Sequence, residues 1–364
     1  SNNSARLLAS LFGIVSFEKR TIRRKQVTVM DMNKWTRDLL NADVKKPMPI
    51  LSFPSIQLMG ITVEDLISSS DTQAEGMRRV AERVDAAASV SMMDLSVEAE
   101  AFGSTIRVSK DEVPTVTGRI VASPEDAKAL KVPDALAGRT GIYIEAIRKA
   151  KQLITDRPVF AGVIGPFSLG GRLVDVSEAM IACYEDPDMM HEVLEKVTQF
   201  ITDYALAYRE VGADGVVMAE PLAGILSPSL IDEFSTQYVK RIVDAVKTDE
   251  FAFIYHNCGN NTPVLVDSIQ TIGANGYHFG NAVDMKGMLE KMPDDVLVMG
   301  NVDPASQFRN GTPQSVHEAT LALMEKCTVH KNFVISSGCD IPPLSSWDNI
   351  DAFFAAVREY YSRK

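Results

Sequence analysis

One histidine and two cysteines, from two distant segments of the chain, could share one metal ion. His256 and Cys258 are separated by a single residue in the apolar run FAFIYHNC, and Cys339 lies in the turn SSGCDIPP. Side chains at positions i and i+2 of a strand point to the same face. One imidazole and two thiolates form a soft donor set that suits zinc, and three protein ligands leave a fourth position open. The alternative is a hydrogen-bonded core histidine beside a small buried thiol.

The charge of this donor set restricts the chemistry. Two thiolates cancel the charge of Zn²⁺ and make it a weaker Lewis acid toward water than three neutral histidines would. Such an ion is better suited to holding a substrate thiol, which becomes a nucleophilic thiolate at neutral pH. Hydrolysis stays possible, but alkyl transfer to sulfur fits the ligands better.

Other polar residues end predicted strands at the same edge. Glu220 and His278 are candidate catalytic groups, as a displaceable fourth ligand or as acceptors of the thiol proton. For Glu220 the alternative is a carboxylate that caps a loop or pairs with an arginine, and for His278 a histidine bonded to the backbone. Asp94 and Asn301 are predicted to contact the cofactor, and a turn residue is the alternative for Asp94.

The elements that must position these residues alternate regularly from residue 48 onward. Short apolar β-branched runs that end in Gly, Pro, Asp or Asn are each followed by a helical-period segment. The predicted strands are 48–54, 88–94, 158–165, 214–220, 251–258, 275–280, 295–303 and 332–340. The predicted helices lie near 72–86, 139–153, 187–210, 228–247, 262–271, 284–291, 312–328 and 346–362.

Eight such units predict an α/β fold, a single (β/α)8 TIM barrel, with a doubly wound open sheet as the competitor. In a parallel barrel the active site forms at the carboxyl ends of the strands. Residues 1–31 are predicted to be an N-terminal extension, and residues 32–364 the barrel domain. The extension is rich in arginine, so an organelle transit peptide is a second interpretation of it. The stretch 103–138 predicts a hairpin inserted between units two and three.

Composition excludes several classes of protein. Of 364 residues, 46% are hydrophobic and 23% charged, and the net charge is -11, which disfavours binding to nucleic acid or to an anionic membrane. Four cysteines are too few for a disulfide framework, which favours a cytoplasmic location. The apolar stretch at 7–15 is too short to span a bilayer. The composition is compatible with a homo-oligomer.

Several segments together resemble a known family. FIYHNCGNNTPVLVDSIQTIGA, VLVMGNVDP and VISSGCDIPP, with DLSVEAEAFG and EPLAGILSP, resemble the zinc-dependent methylcobamide:coenzyme M methyltransferases of the uroporphyrinogen decarboxylase superfamily. The resemblance covers roughly residues 32–362. It implies a (β/α)8 barrel in which His256, Cys258 and Cys339 bind Zn²⁺. It also implies methyl transfer from methylcobalamin, carried by a separate corrinoid protein, to a small thiol such as coenzyme M.

The sequence departs from the family pattern after predicted strand six. Family members often carry acidic residues there, where this chain has Gly280 and Asn281. The fourth zinc ligand and the methyl acceptor therefore stay open, and another thiol, a pterin or a demethylation reaction are alternatives.

Two rival functions follow from the same sequence. A decarboxylase of an octa-acid tetrapyrrole needs clustered arginines, whereas residues 54–60 carry no charge. A corrinoid-binding protein without catalysis would need the D-x-H-x-x-G pattern, which is absent.

Overall fold

Seven parallel strands form one curled sheet in the part of the chain that the structure describes, residues 28–363 of a computed structural model. The predicted extension of residues 1–31 lies outside the described residues except for its last four. The strands found among residues 28–363 are β1 (Ser89–Val90), β2 (Thr105–Arg107), β3 (Thr115–Thr117), β4 (Val159–Ile164), β5 (Gly215–Ala219), β6 (Ala252–Asn257), β7 (Gly276–Phe279), β8 (Leu297–Val302) and β9 (Phe333–Ser337).

Helices connect and surround these strands. They are α1 (Met32–Asn41), α2 (Ser55–Met59), α3 (Val63–Ile67), α4 (Ser70–Arg83), α5 (Val97–Phe102), α6 (Pro124–Ala129), α7 (Thr140–Leu153), α8 (Pro166–Val174), α9 (Val176–Glu185), α10 (Pro187–Glu210), α11 (Pro228–Ile231), α12 (Gln237–Val246), α13 (Val266–Ile269), α14 (Met285–Lys291), α15 (Pro313–Cys327) and α16 (Trp347–Ser362). Short 3₁₀ turns lie at Pro221–Ile225, Thr262–Val264 and Gln270–Ile272, and π-helical turns at Asp232–Thr236 and Pro304–Arg309.

The sheet order follows the chain, β1-β4-β5-β6-β7-β8-β9, and every pairing in it is parallel. Parallel neighbours require helical crossovers, which cover one face of the sheet and give the larger apolar core between sheet and helices. A smaller core lies inside the curl. It contains inward side chains such as Ile50, Val217, Ile254, Met299 and Val334.

The predicted first strand, 48–54, is irregular in the structure, so the expected count of eight strands is wrong by one. Its position is nevertheless the expected one. The amide of Met48 donates to the carbonyl of Ile335 at 3.0 Å, and the amide of Ala87 donates to the carbonyl of Pro47 at 2.9 Å. Prolines 47 and 49 lack the amide donors that a ladder needs. The segment thus bridges the two edge strands of the sheet without forming a strand.

Several helix boundaries follow directly from the sequence. Ser227 and Thr312 cap the helices that begin at Pro228 and Pro313, each hydroxyl accepting an amide proton from the first turn. Gly212, at φ 104°, follows α10 in the left-handed region that favours glycine. The single helix predicted over 228–247 is divided by the π-helical turn.

The two ends of the sheet are covered differently. At the amino end, α1 places the fully buried Met32 in the inner core, and the indole of Trp35 donates to the carbonyl of Ala87. At the carboxyl end, the stretch 103–138 contains the antiparallel pair β2 and β3. No helix within residues 28–363 combines the length and the apolar character needed to cross a bilayer.

Candidate functional site

Two histidines on adjacent strands meet at the carboxyl end of the sheet. His256 on β6 and His278 on β7 are register partners, and their Nδ1 atoms lie 2.7 Å apart. The Nε2 of His278 lies 2.8 Å from the hydroxyl of Ser336 on β9, and that hydroxyl donates to the carbonyl of Met48 at 2.7 Å. These side chains are all buried. The chain of contacts therefore joins β6, β7, β9 and the segment that bridges the sheet edges.

The proton positions in this chain of contacts follow from counting donors. Ser336 has one hydroxyl proton and gives it to Met48, so it must accept the proton of Nε2 of His278. A neutral imidazole carries one N–H, which leaves Nδ1 of His278 as an acceptor. His256 must therefore donate through its own Nδ1. The Nε2 of His256 is left as a bare acceptor, and it is buried without a hydrogen-bond partner.

Both imidazoles are neutral at physiological pH. Burial lowers the pKa of His256 to about 4. Burial, together with the neighbouring His256, brings the pKa of His278 well below its usual value. A neutral imidazole with one nitrogen held by a hydrogen bond and the other free is the form that binds metal ions.

The two cysteines lie on neighbouring loops at the same edge. Burial raises the pKa of Cys258, and burial followed by the charge of Cys258 raises the pKa of Cys339 to about 12. Gly280 fixes the approach of these loops, because a Cβ there would lie 2.2 Å from the Cβ of Cys258 and 3.4 Å from the carbonyl of Gly338. No acidic side chain can therefore occupy position 280 with the backbone in this arrangement.

No three His, Cys, Asp or Glu side chains within residues 28–363 are arranged so that they could hold a metal ion. The zinc ligand set of His256, Cys258 and Cys339 therefore stays a prediction. The types of donor atom at this edge nevertheless suit a soft cation. A buried lone pair on His256 and two thiols, of which Cys258 raises the pKa of Cys339, lie at the same end of the sheet.

Glu220 is a helix cap in this structure. Its Oε2 accepts from the amide of Phe167 at 3.0 Å and from the hydroxyl of Ser235 at 2.7 Å, and its Oε1 accepts from the amide of Ser168 at 2.7 Å. Burial raises its pKa, and these donors oppose the shift. All of them come from other elements, so Glu220 holds the start of α8. The carboxylate of Glu220 accepts from three donors, and both ring nitrogens of His278 have hydrogen-bond partners. The catalytic roles of Glu220 and His278 stay predictions.

Asp94 and Asn301, the predicted cofactor contacts, hold loops at this edge. Asp94 pairs with Arg139 at 2.9 Å, and it also accepts from the hydroxyls of Tyr143 and Ser96. The side-chain amide of Asn301 donates to two carbonyls of the loop after β7, at 2.8 and 2.7 Å. Cofactor contact by these residues stays a prediction.

Sequence reasoning missed a second group of buried polar residues at this end. Burial raises the pKa of Glu98 to about 7 and that of Asp340 to about 8. Each carboxyl has one oxygen bonded to an amide and one buried without a partner. Glu98 lies within the acidic run VEAEAF, whose pattern resembles a solvated helix face and carries no signal of burial.

Known proteins resemble this chain over most of its length. A family model described as uroporphyrinogen decarboxylase (URO-D) matches residues 51–360. A methylcobamide:CoM methyltransferase of Methanosarcina acetivorans is 28% identical over 272 residues, 73% of this chain and 78% of that protein. A uroporphyrinogen decarboxylase of Hydrogenovibrio crunogenus is 25% identical over 311 residues, 81% of this chain and 85% of that protein.

The same fold occurs in a solved structure. A methyltransferase from Methanosarcina mazei superposes with a TM-score of 0.79 at 23% identity, covering 92% of this chain and 100% of that chain. The resemblance that the motifs indicated is thereby confirmed at the level of the group.

Proposed function

The chain belongs to the uroporphyrinogen decarboxylase family, and we propose that within it the protein is a zinc-dependent methyltransferase. It would move a methyl group from methylcobalamin, carried by a corrinoid protein, to a small thiol of the coenzyme M type. The names of its methyltransferase relatives support this assignment. The observation that carries it is the unpartnered Nε2 of His256, which lies at the same end of the sheet as Cys258 and Cys339. We also propose a closed (β/α)8 barrel, with residues 47–53 in the place of its first strand.

Zinc binding would have to draw three side chains at this edge together, because they do not form a metal-binding cluster in the described structure. His256, through its free Nε2, with Cys258 and Cys339, would hold zinc, while His278 and Ser336 keep His256 in the required tautomer. A zinc ion bound there would lower the pKa of a substrate thiol, so that its sulfur would be a nucleophile at neutral pH. Both cysteines must lose protons to act as ligands, and burial opposes this in the free protein. Zinc affinity should therefore rise with pH.

The proposed methyl transfer needs no reactant other than the thiol and methylcobalamin. The thiolate sulfur would form a bond to the methyl carbon of the methylcobalamin substrate, and the electron pair of the broken Co–C bond would leave with the corrinoid. The proton of the incoming thiol leaves to solvent or a base before this step. The carboxylate of Glu220 already accepts three hydrogen bonds and both ring nitrogens of His278 have partners, so we assign this proton to water at the mouth of the sheet.

Decarboxylation of a polycarboxylate fits the site less well. The cavity between the loop after β1, the hairpin of β2 and β3, and α8 has one arginine, Arg172, in its lining. A substrate with many carboxylates requires several cations, because each desolvated carboxylate needs a partner. The decarboxylase relatives therefore share the fold and family with this chain, and we assign it the methyltransferase chemistry.

The test is zinc content followed by a defined reaction. The purified protein should contain about one zinc per chain, and it should demethylate free methylcobalamin in the presence of 2-mercaptoethanesulfonate, followed by the cobalamin spectrum. A protein that binds no zinc and converts a uroporphyrinogen substrate would overturn the proposal. A zinc-loaded protein that is inactive with a panel of thiols would overturn the thiol acceptor.

A further inference from the structure

Asn257, the residue between His256 and Cys258, points to the other face of the sheet. Successive side chains of a strand alternate between its two faces. Tyr255, two positions before Asn257, belongs to the larger apolar core, and its hydroxyl accepts from the side-chain amide of Asn257 at 3.0 Å. Asn257 is fully buried on that side. It thus lies next to both proposed metal ligands in sequence but outside the face of the sheet that carries His256.

Asn257 closes the turn of residues 258–262, which carries Cys258. Its Oδ1 accepts from the amide of Gly259 at 3.1 Å, which forms an Asx turn. The hydroxyl of Thr262 lies 3.2 Å from the same oxygen and donates to the carbonyl of Gly259 at 2.6 Å. The main-chain carbonyl of Asn257 accepts from the first amide after β7 at 3.0 Å. Asn257 therefore fixes the chain immediately before and after Cys258.

The same turn lies against the loop that follows β5. A Cβ on Gly224 of that loop would lie 2.2 Å from Oδ1 of Asn257 and 2.5 Å from Cα of Gly259, and a Cβ on Gly259 would lie 2.3 Å from the carbonyl of Gly224. The main-chain amide of Asn261 donates to the carbonyl of Gly224 at 2.9 Å, and its side-chain amide donates to two further carbonyls of this loop at 3.2 and 3.3 Å. The two backbones therefore touch, and the turn that carries Cys258 has little room to move.

We propose that Asn257 is a positioning residue for Cys258 and that it holds the thiol at the edge of the sheet where His256 and Cys339 lie. The inference rests on the proposed function. A metal ligand on a turn is placed by the backbone of that turn, and metal sites require their ligands within about 0.5 Å of the productive geometry. An apolar side chain at position 257 would leave the amide of Gly259 without its acceptor, which costs free energy and favours opening of the turn. Asn257 itself contacts neither metal nor substrate.

The first experiment measures the Cys258 turn without any metal. Metal-free, reduced protein is treated with N-ethylmaleimide, and peptide mass spectrometry follows the alkylation of each cysteine. In Asn257→Ala, which removes the acceptor without adding volume, Cys258 should react about 10-fold faster. Asn257→Asp keeps an acceptor oxygen and should restore most of the slow reaction. Alkylation of Cys183, buried in α9, should stay slow in both variants and report an intact fold.

Asn275→Ala is the matched control. Asn275 lies just before β7 at the amino end of the sheet, where its buried side chain accepts from the amide of Phe253 at 2.8 Å. This variant loses a buried asparagine hydrogen bond of the same kind. General destabilisation should therefore affect both alanine variants, but only Asn257→Ala should expose Cys258.

The second experiment measures metal binding. Zinc affinity in a chelator competition should fall about 10- to 100-fold in Asn257→Ala, recover in Asn257→Asp, and stay at the wild-type value in Asn275→Ala. In the Co²⁺-substituted protein, the sulfur-to-cobalt charge-transfer absorption should weaken in Asn257→Ala, because one thiolate no longer reaches the ion.

The two experiments separate this inference from the proposed function. The inference is wrong if Cys258 reacts at the wild-type rate in Asn257→Ala, or if Asn275→Ala accelerates the reaction as much. It is also wrong if the zinc affinity of Asn257→Ala equals that of the wild type. If alkylation depends on Asn257 but the wild type binds neither zinc nor Co²⁺, Asn257 positions the thiol and the zinc-dependent methyltransferase proposal fails.

Discussion

The same strands are apolar at one end of the sheet and polar at the other. On β6, the inward positions Ala252 and Ile254 belong to the inner core, and His256 follows them. On β9, Val334 is followed by Ser336 in the same way. The amino end is covered by the apolar residues of α1. On each of these strands, the last apolar core residue and the first residue of the polar cluster are therefore only two positions apart.

The difference between the ends shows where stability and chemistry reside. Burial of apolar side chains at the amino end stabilises the fold. At the carboxyl end, His256, Glu98 and Asp340 each bury a polar atom without a partner, which costs free energy. Unpartnered buried polar atoms of this kind are typical of functional sites, where a bound ligand offsets their free-energy cost. Substitutions at the amino end should therefore change stability, and substitutions at the carboxyl end should change zinc binding and activity.

The largest effect is expected from the proposed ligands. Cys258→Ala and Cys339→Ala should each reduce zinc from about one equivalent to near zero and abolish methyl transfer, because two remaining donors hold the ion poorly. Metal analysis and the methylcobalamin assay measure this. Cys183→Ala, in α9 away from the cluster, is the matched control and should keep its zinc. Full zinc in either ligand variant would refute the ligand assignment.

The next effect lies at the amino end and concerns stability alone. Met32→Ala removes a fully buried side chain and should lower the free energy of unfolding by about 2–5 kcal/mol, measured by urea denaturation. Zinc content and kcat under native conditions should not change. Val329→Ala, at a position that is 81% exposed, should cost less than about 0.5 kcal/mol. Loss of zinc in Met32→Ala would mean that the two ends are coupled.

A smaller effect tests the tautomer of His256. Ser336→Ala removes the acceptor of His278 Nε2, so His278 is free to change tautomer and His256 loses its fixed orientation. Zinc affinity should fall about 10- to 100-fold in a chelator competition. Ser337→Ala is the matched control on the same strand, because that hydroxyl accepts only from the amide of Ile50. Equal zinc affinities in the two variants would show that the hydrogen bonds of Ser336 and His278 do not contribute to metal binding.

The last prediction concerns the pH dependence that Glu98 gives to stability. Its pKa is raised by burial from 4.5 to about 7, so the folded state binds the extra proton between these values. The free energy of unfolding should therefore fall as pH rises from about 4.5 to about 7, by at most about 3 kcal/mol. Glu98→Gln should flatten this part of the pH profile measured by urea denaturation. An unchanged slope would show that Glu98 does not titrate in this range.

Much of the architecture could be predicted because strand and helix periods are local. Seven of the predicted strands overlap strands of the sheet, and the missing one contains prolines whose lost donors the apolar pattern does not reveal. His256, Cys258 and Cys339 could be placed at one edge because all parallel strands end there. The capping role of Glu220 could not, since its partners Phe167 and Ser168 lie 53 and 52 residues away in the chain.

The buried acids Glu98 and Asp340 could not be predicted for a similar reason. They differ from surface acids only in what packs around them, which the local sequence does not reveal.

The proline-containing segment at 47–53 also has a dynamic consequence. It joins β1 and β9 through a few isolated hydrogen bonds, including those of the Met48 and Ile341 amides, whereas β5 and β6 share a continuous ladder. Local opening should begin at this junction. Deuterium should therefore replace the amide protons of Met48 and Ile341 well before those in the middle of β5 and β6. The junction formed by residues 47–53 would then be the first part of the sheet to open locally.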